Sequence, residues 1–174
     1  MKRQQRTVGA IVKIPLENGC HSYARILQTR LAFYDICTKK DLLLEEIIEK
    51  PILFISVVYD FAITKGFWLK IGKKLPLEEH LQKTTPLYTE DLLTGKYLIY
   101  DGGKQVVATK DEIKGLESYT VWSPEGIEKR LNDYFANRKN EFVEDMKAGR
   151  QISGMFERAL LRKKELRAQN EKHL

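Results

Sequence analysis

The sequence predicts an α+β protein: an N-terminal bent antiparallel β-sheet or SH3-like partial barrel, with C-terminal helices packed on it. Three observations carry this expectation. The chain opens with short segments of near-alternating apolar residues, separated by turn residues. Asp101-Gly102-Gly103-Lys104 lies between two β-rich runs, a strong hairpin signal. From Ser123 onward the apolar spacing shifts towards that of a helix.

Val8 to Leu16 reads as a strand, with Val8, Ala10, Val12 and Ile14 alternating with Gly9, Ile11 and Lys13. Glu17-Asn18-Gly19 is a turn, because Asn-Gly tolerates positive φ. His21 to Gln28 is the return strand, and Leu31 to Cys37 a third, rich in aromatic and β-branched residues. Asp41 is placed to cap a helix from Leu42 to Lys50, which Pro51 stops. Ile52 to Tyr59 is the most apolar run and is expected as a central strand. Phe67 to Ile71 is a further strand, entered through Gly66 and left through Gly72. Leu75 to Leu93 reads as loop, with Pro76 and Pro86. Tyr97–Tyr100 and Gln105–Thr109 pair across the hairpin, and Ser118 to Trp122 adds a last strand.

Ser123-Pro124-Glu125 then starts a helix, with Ser as N-cap and Pro in the first turn. Ile127, Leu131, Tyr134, Phe135, Phe142, Val143 and Met146 keep helical spacing, with a break near Asn137–Asn140. A second helix is expected from Ser153 towards Gln169, with a thin apolar side. The domain division is therefore residues 1–149, a β-rich domain with a helix from about 123, and residues 150–174, a charged helical extension.

The 174 residues suffice for a core without disulfides or metal. No apolar stretch follows the basic start, and Ile52 to Tyr59 is too short to span a membrane, so a reducing cytoplasm is expected. The net charge of +6 is uneven. Residues 1–40 carry eight basic and two acidic side chains, residues 41–120 ten and thirteen, residues 121–174 twelve and nine. The middle is thus mildly acidic between two basic ends.

Catalytic constellations do not emerge. His21, His80 and His173 are far apart in sequence, and Cys20 and Cys37 read as free thiols packed like small hydrophobes. Gly102-Gly103-Lys104 lacks the spacing of a phosphate-binding loop. No cofactor, metal or catalytic residue is expected.

A series of short blocks carries a stronger signal. Val8-Gly9-Ala10-Ile11-Val12-Lys13-Ile14-Pro15-Leu16 is followed by Tyr23-Ala24-Arg25-Ile26-Leu27 and Ala32-Phe33-Tyr34-Asp35. Then come Glu45-Glu46-Ile47, Lys50-Pro51-Ile52-Leu53-Phe54, Gly66-Phe67-Trp68 and Ile71-Gly72-Lys73. Gly115-Leu116-Glu117 and Trp122 with Ile127-Glu128-Lys129-Arg130-Leu131 complete the series. In order and spacing these resemble the immunity protein 26 family of bacterial polymorphic toxin systems, from about Val8 to about Tyr134. The resemblance implies a non-enzymatic, β-rich protein made beside a toxin and neutralising it by direct binding. It brings no catalytic residues. It implies that Gly9 and Gly19 shape the backbone, Pro15 and Pro51 act as stops, and Trp68 and Trp122 pack. Residues from Gly149 onward fall outside it, and a homodimer through the C-terminal helix is one role open to them.

The expected partner is a cognate toxin domain, with no membrane involved. Its contact surface should combine aromatic anchors with a charged rim. The candidates are Tyr59, Asp60, Trp68, Tyr88, Glu90, Asp91, Tyr100 and Asp101, chosen at strand ends and loops, with about half of the aromatics expected in the core. The alternative is a nucleic-acid-binding accessory protein. It would use Lys2, Arg3, Arg6, Lys13, Arg25 and Arg30 at the N-terminus and Arg158, Arg162, Lys163, Lys164 and Arg167 in the tail. Interleaved Glu157, Glu165 and Glu171 favour a solvated helix face instead.

Overall fold

The computed structural model describes residues 3–83, 85–91 and 93–147. In chain order the strands are β1 (Ala10–Pro15), β2 (His21–Ile26), β3 (Leu31–Tyr34), β4 (Ile52–Val58), β5 (Leu69–Lys73), β6 (Leu87–Glu90), β7 (Tyr97–Asp101), β8 (Lys104–Ala108), β9 (Glu117–Ser118) and β10 (Val121–Trp122). The helices are α1 (Leu44–Ile48), α2 (Phe61–Thr64), α3 (Glu79–Gln82), α4 (Pro124–Phe135) and α5 (Glu141–Lys147). The chain divides into two compact units. One comprises the chain to Pro86 and Tyr119–Asn140; the other comprises Leu87–Ser118 and the chain from Glu141.

The first unit is built on a six-stranded sheet in the order β10-β4-β3-β2-β1-β5, antiparallel except where β10 runs parallel to β4. Register shifts between Ile11 and Val12 and between Phe33 and Tyr34 bend it. The sheet stays open, with β5 and β10 as its edges, so the barrel alternative does not close. The turn from β1 to β2 places Asn18 at φ 58° and Gly19 at φ 69°, the left-handed conformation that Asn-Gly accommodates.

Every residue of β2 and β3 is buried, so these strands form the centre of the core. One face packs Tyr23 and Tyr34 against Ile47 of α1. On the other, Phe33 stacks on Phe54 at 4.6 Å and meets Trp68 edge-on at 6.2 Å. Helix α4 starts as its sequence dictates: Ser123 Oγ accepts the Gly126 N–H at 3.1 Å. It buries Ile127 and Leu131 completely and sets the Arg130 guanidinium 3.6 Å from the Phe54 ring centre. Helix packing on the sheet is thus present as expected.

Several boundaries differ from expectation. The apolar run Ile52–Val58 is second from the edge, beside a two-residue neighbour, and most of its side chains are half-buried. Asp41 does not cap α1; it forms an ion pair with Lys13. The N-cap is Leu43, whose N–H is accepted by Glu46 Oε2 at 2.7 Å. The strand expected from Phe67 begins at Leu69 because α2 and a Gly66 turn at φ 80° precede it. The segment expected as loop contains α3 and β6. The run Ser118–Trp122 divides between β9 and β10, which belong to different sheets.

The second unit carries a four-stranded sheet in the order β8-β7-β6-β9. The β7–β8 hairpin closes through Gly102 and Gly103 at φ 54° and 84°, as the Asp-Gly-Gly-Lys signal predicts. Helix α4 ends at Phe135, Asn137 adopts φ 52°, and α5 follows, which is the expected break. No helix among the described residues is long and apolar enough to cross a membrane. The helix expected from Ser153 and the 150–174 extension lie outside the described residues.

Candidate protein-docking site

Among the described residues, no group of three or more His, Cys, Asp or Glu side chains could hold a metal ion. His21 is buried with Nε2 2.8 Å from Tyr23 Oη. Burial first, and Lys13 second, hold its pKa below the ordinary imidazole value. Cys20 and Cys37 are free, but Cys20 is only half-buried and Cys37 is exposed, so they do not pack like core hydrophobes as expected; partial desolvation, with Cys20 beside it, pushes the Cys37 thiol up, away from the reactive thiolate. A cleft of about 240 Å³ is lined by Tyr34, Ile52, Glu78, His80 and Leu81. Its carboxylate is not free: both oxygens of Glu78 accept from Arg25 Nη1, at 2.8 and 2.6 Å.

Of the six basic N-terminal candidates, Lys2 lies outside the described residues, Arg3 is exposed, and the other four are partnered locally. Arg25 is fully buried. Arg6 donates to Asp60 Oδ1 at 3.2 Å and to the carbonyls of Leu27 and Arg30 at 3.0 and 3.1 Å. Arg30 donates to the Thr85 carbonyl and Lys13 to Asp41. Arg25 is thus paired in the interior, whereas the Arg6–Asp60 and Lys13–Asp41 pairs lie at the surface. The basic tail residues lie outside the described residues.

What the first unit does present is an aromatic cluster around α2. Tyr59 leaves β4 with its N–H bonded to the Trp122 carbonyl at 3.0 Å, and is 50% exposed. Its ring stacks on Phe61 at 5.5 Å, and Phe61 meets Phe67 edge-on at 6.0 Å. Phe67 is 38% exposed. Lys65 Nζ lies 5.4 Å from the Phe61 ring centre, and the exposed Asp60 pairs with Arg6 alongside. The four-residue helix and the Gly66 turn fold the segment back, so that positions 59, 61 and 67 meet at the surface.

The eight candidate residues divide between the units. Tyr59 and Asp60 are neighbours at the aromatic cluster of the first. Trp68 is fully buried, and its indole N–H donates to Glu128 Oε1 at 2.8 Å, so it presents nothing to a partner. In the second unit, Tyr88 is also buried, which pushes its phenol pKa up to about 12. It meets Tyr97 edge-on at 6.5 Å and is an interior residue. Trp68 precedes β5 and bonds to α4, and Tyr88 lies within β6 between β7 and β9, so neither sits at a free strand end. Glu90 and Tyr100 are half-buried on β6 and β7, and Asp101 is exposed at the hairpin. Asp91 forms a turn: Oδ1 accepts the N–H groups of Leu93 and Thr94 at 2.9 and 3.3 Å. Those bonds hold its carboxyl below the usual range.

Phe61 and Phe67 are the surface residues that sequence reasoning missed. Phe67 read as part of a strand, and nothing in a four-residue helix produces a period that would join it to Phe61. The signal available was the Tyr59-Asp60-Phe61 triplet followed by Gly66-Phe67, aromatics closely flanking a turn residue.

A family model described as Immunity protein 26 matches residues 7–98, more than half of the chain. No curated protein and no solved structure matches it. The match runs from β1 through the α2 cluster and β6 into the start of β7; it ends short of Tyr134, so the expected blocks from Gly115 to Leu131 lie outside it. The chain belongs to the immunity protein 26 family.

Proposed function

We propose that this protein neutralises a cognate bacterial toxin by binding it directly, without catalysis, in the cytoplasm of a cell that carries a polymorphic toxin system. Family membership supports a toxin as the partner. The observation that supports direct contact is the cluster of Tyr59 stacked on Phe61, with Phe67 edge-on to it, beside the Arg6–Asp60 pair. Two exposed aromatics on a half-buried third, within a charged rim, have the composition of an interface hot spot. Glu90, Tyr100 and Asp101 of the second unit are proposed as further contacts, and residues 150–174 as an appendage through which two copies could pair. The experiment co-expresses the chain with the toxin encoded beside it. Cells should survive, and the toxin should co-purify. Tyr59→Ala with Phe67→Ala should weaken binding at least about tenfold with unchanged circular dichroism. Cell death with both proteins made, and no association, contradicts the reading.

A further inference from the structure

Cys20 and Cys37 are the only cysteines in the chain, and the fold sets them side by side. The His21 backbone N–H donates to the Thr38 carbonyl at 2.8 Å, and the Thr38 N–H donates to the His21 carbonyl at 3.1 Å. This isolated antiparallel bridge ties the start of β2 to the segment after β3. Each cysteine immediately precedes one of the bridge partners. Side chains alternate along extended backbone, so the residues preceding the two partners point to one face, as diagonal neighbours. Cys20 is extended, at φ −80° and ψ 167°. The thiols sense each other: partial burial first, and Cys20 second, raise the proton affinity of the Cys37 thiol.

The pair is open to a small oxidant. Cys37 is exposed and Cys20 half-buried, so Cys37 is met first. Diagonal neighbours stand about 7–8 Å apart, at the upper limit of what a disulfide spans. Cys37 lies between β3 and the bridge, outside any strand or helix, where the backbone can supply the remaining movement. A disulfide closed at that limit and open to solvent is readily reduced, which makes it reversible.

We infer that Cys20 and Cys37 are a reversible disulfide site, oxidised by a low-molecular-weight disulfide such as oxidised glutathione. The Cys37 thiolate attacks the oxidant, forming a mixed disulfide and releasing one glutathione thiolate. The Cys20 thiolate then attacks the Cys37 sulfur, forming the Cys20–Cys37 bond and releasing the second glutathione. Two protein thiols are oxidised, one glutathione disulfide is reduced to two thiols, and the two protein protons pass to the released thiolates. Cys37 holds its proton tightly, so the first step is slow at neutral pH and sets the pace. In a reducing compartment the pair rests as thiols, and it closes as the thiol pool is oxidised.

The test incubates the reduced full chain with oxidised glutathione and follows it by intact mass and tryptic mapping. Trypsin cuts after Arg25 and Arg30, so the cysteines fall in separate peptides, Ile14–Arg25 and Leu31–Lys39. The wild type should lose both reactive thiols, become lighter by two hydrogen atoms, carry no glutathione and yield those two peptides linked. Dithiothreitol should restore both thiols. Cys20→Ser leaves the exposed thiol without its resolving partner and should stop as a single glutathione adduct at Cys37. A wild type that ends with two glutathione adducts, or linked to a second chain, overturns the site. Thiols that react only once the chain is unfolded overturn it as well.

Discussion

The indole N–H of Trp68 donates to Glu128 Oε1 at 2.8 Å, tying the segment that leads into β5 to helix α4. Trp68 is fully buried, so this bond orients a core side chain. Burial pushes the Glu128 carboxyl up, and the Trp68 bond only partly offsets it. The folded protein therefore holds this proton more tightly than the unfolded chain does. The resulting stabilisation is present below the ordinary carboxylate range and is lost as pH rises through the folded value. Glu128→Gln keeps an acceptor for Trp68, removes this pH dependence and changes stability at neutral pH little. Glu128→Ala leaves the indole N–H without its acceptor and should cost about 1–3 kcal/mol in urea unfolding.

Asp133, on the same helix, has the opposite pH signature. It is buried, which disfavours its charge, but hydrogen bonds from Lys129 at 2.7 Å, Asn140 at 2.7 Å and Arg138 at 3.0 Å outweigh that. Its carboxyl is held below the usual range. Its contribution is present above the unfolded value and disappears as pH falls through the folded one. Asp133→Ala should cost about 2–3 kcal/mol at pH 7 and progressively less in acid, read from denaturant midpoints across pH.

Arg25 is the deepest charge in the molecule's first unit. Its guanidinium is buried, with Nη2 donating to the Lys74 carbonyl at 2.6 Å and Nη1 to Glu78. Removing the carboxylate leaves a cation without its counter-charge. Glu78→Ala should destabilise by roughly 2–3 kcal/mol, less than for a wholly buried pair because Glu78 is one-third exposed. Replacing Arg25 and Glu78 together with apolar residues should recover part of that loss, measured in a double-mutant cycle.

Gly9 sits at φ 82°, and a Cβ there would lie 2.6 Å from Leu75 Cδ2 and 2.9 Å from the Lys74 carbonyl oxygen. The second neighbour is backbone and yields little. Gly9→Ala should therefore lower the thermal midpoint, at a cost above about 1 kcal/mol. At Gly19, φ is 69° but the space is open, so Gly19→Ala meets only the strain of the left-handed conformation and should cost less.

Much of the first unit was legible because local signals agree with its pairing. Asn18-Gly19 fixes the β1–β2 turn, and Ser123-Pro124 fixes the start of α4. The hairpin of Asp101 to Lys104 was read for the same reason. Non-local features were not legible. Whether Ile52–Val58 is central depends on its neighbours, and β10 is two residues recruited from a different part of the chain. The proposed docking cluster was half visible: Tyr59 and Asp60 follow from lying at a strand end, but Phe61 and Phe67 join them only through α2. Trp68 and Tyr88 look like surface anchors in sequence, and their burial is decided by tertiary packing.

Direct, stoichiometric neutralisation is tested best by titrating a fixed amount of active toxin with the purified full-length chain and reading the toxin's activity. Binding without catalysis predicts a linear fall that ends at about one equivalent, with both proteins recovered chemically unchanged. Undiminished toxin activity with the chain in excess contradicts it, as does complete loss at a small fraction of an equivalent, which would mean that the chain acts as an enzyme.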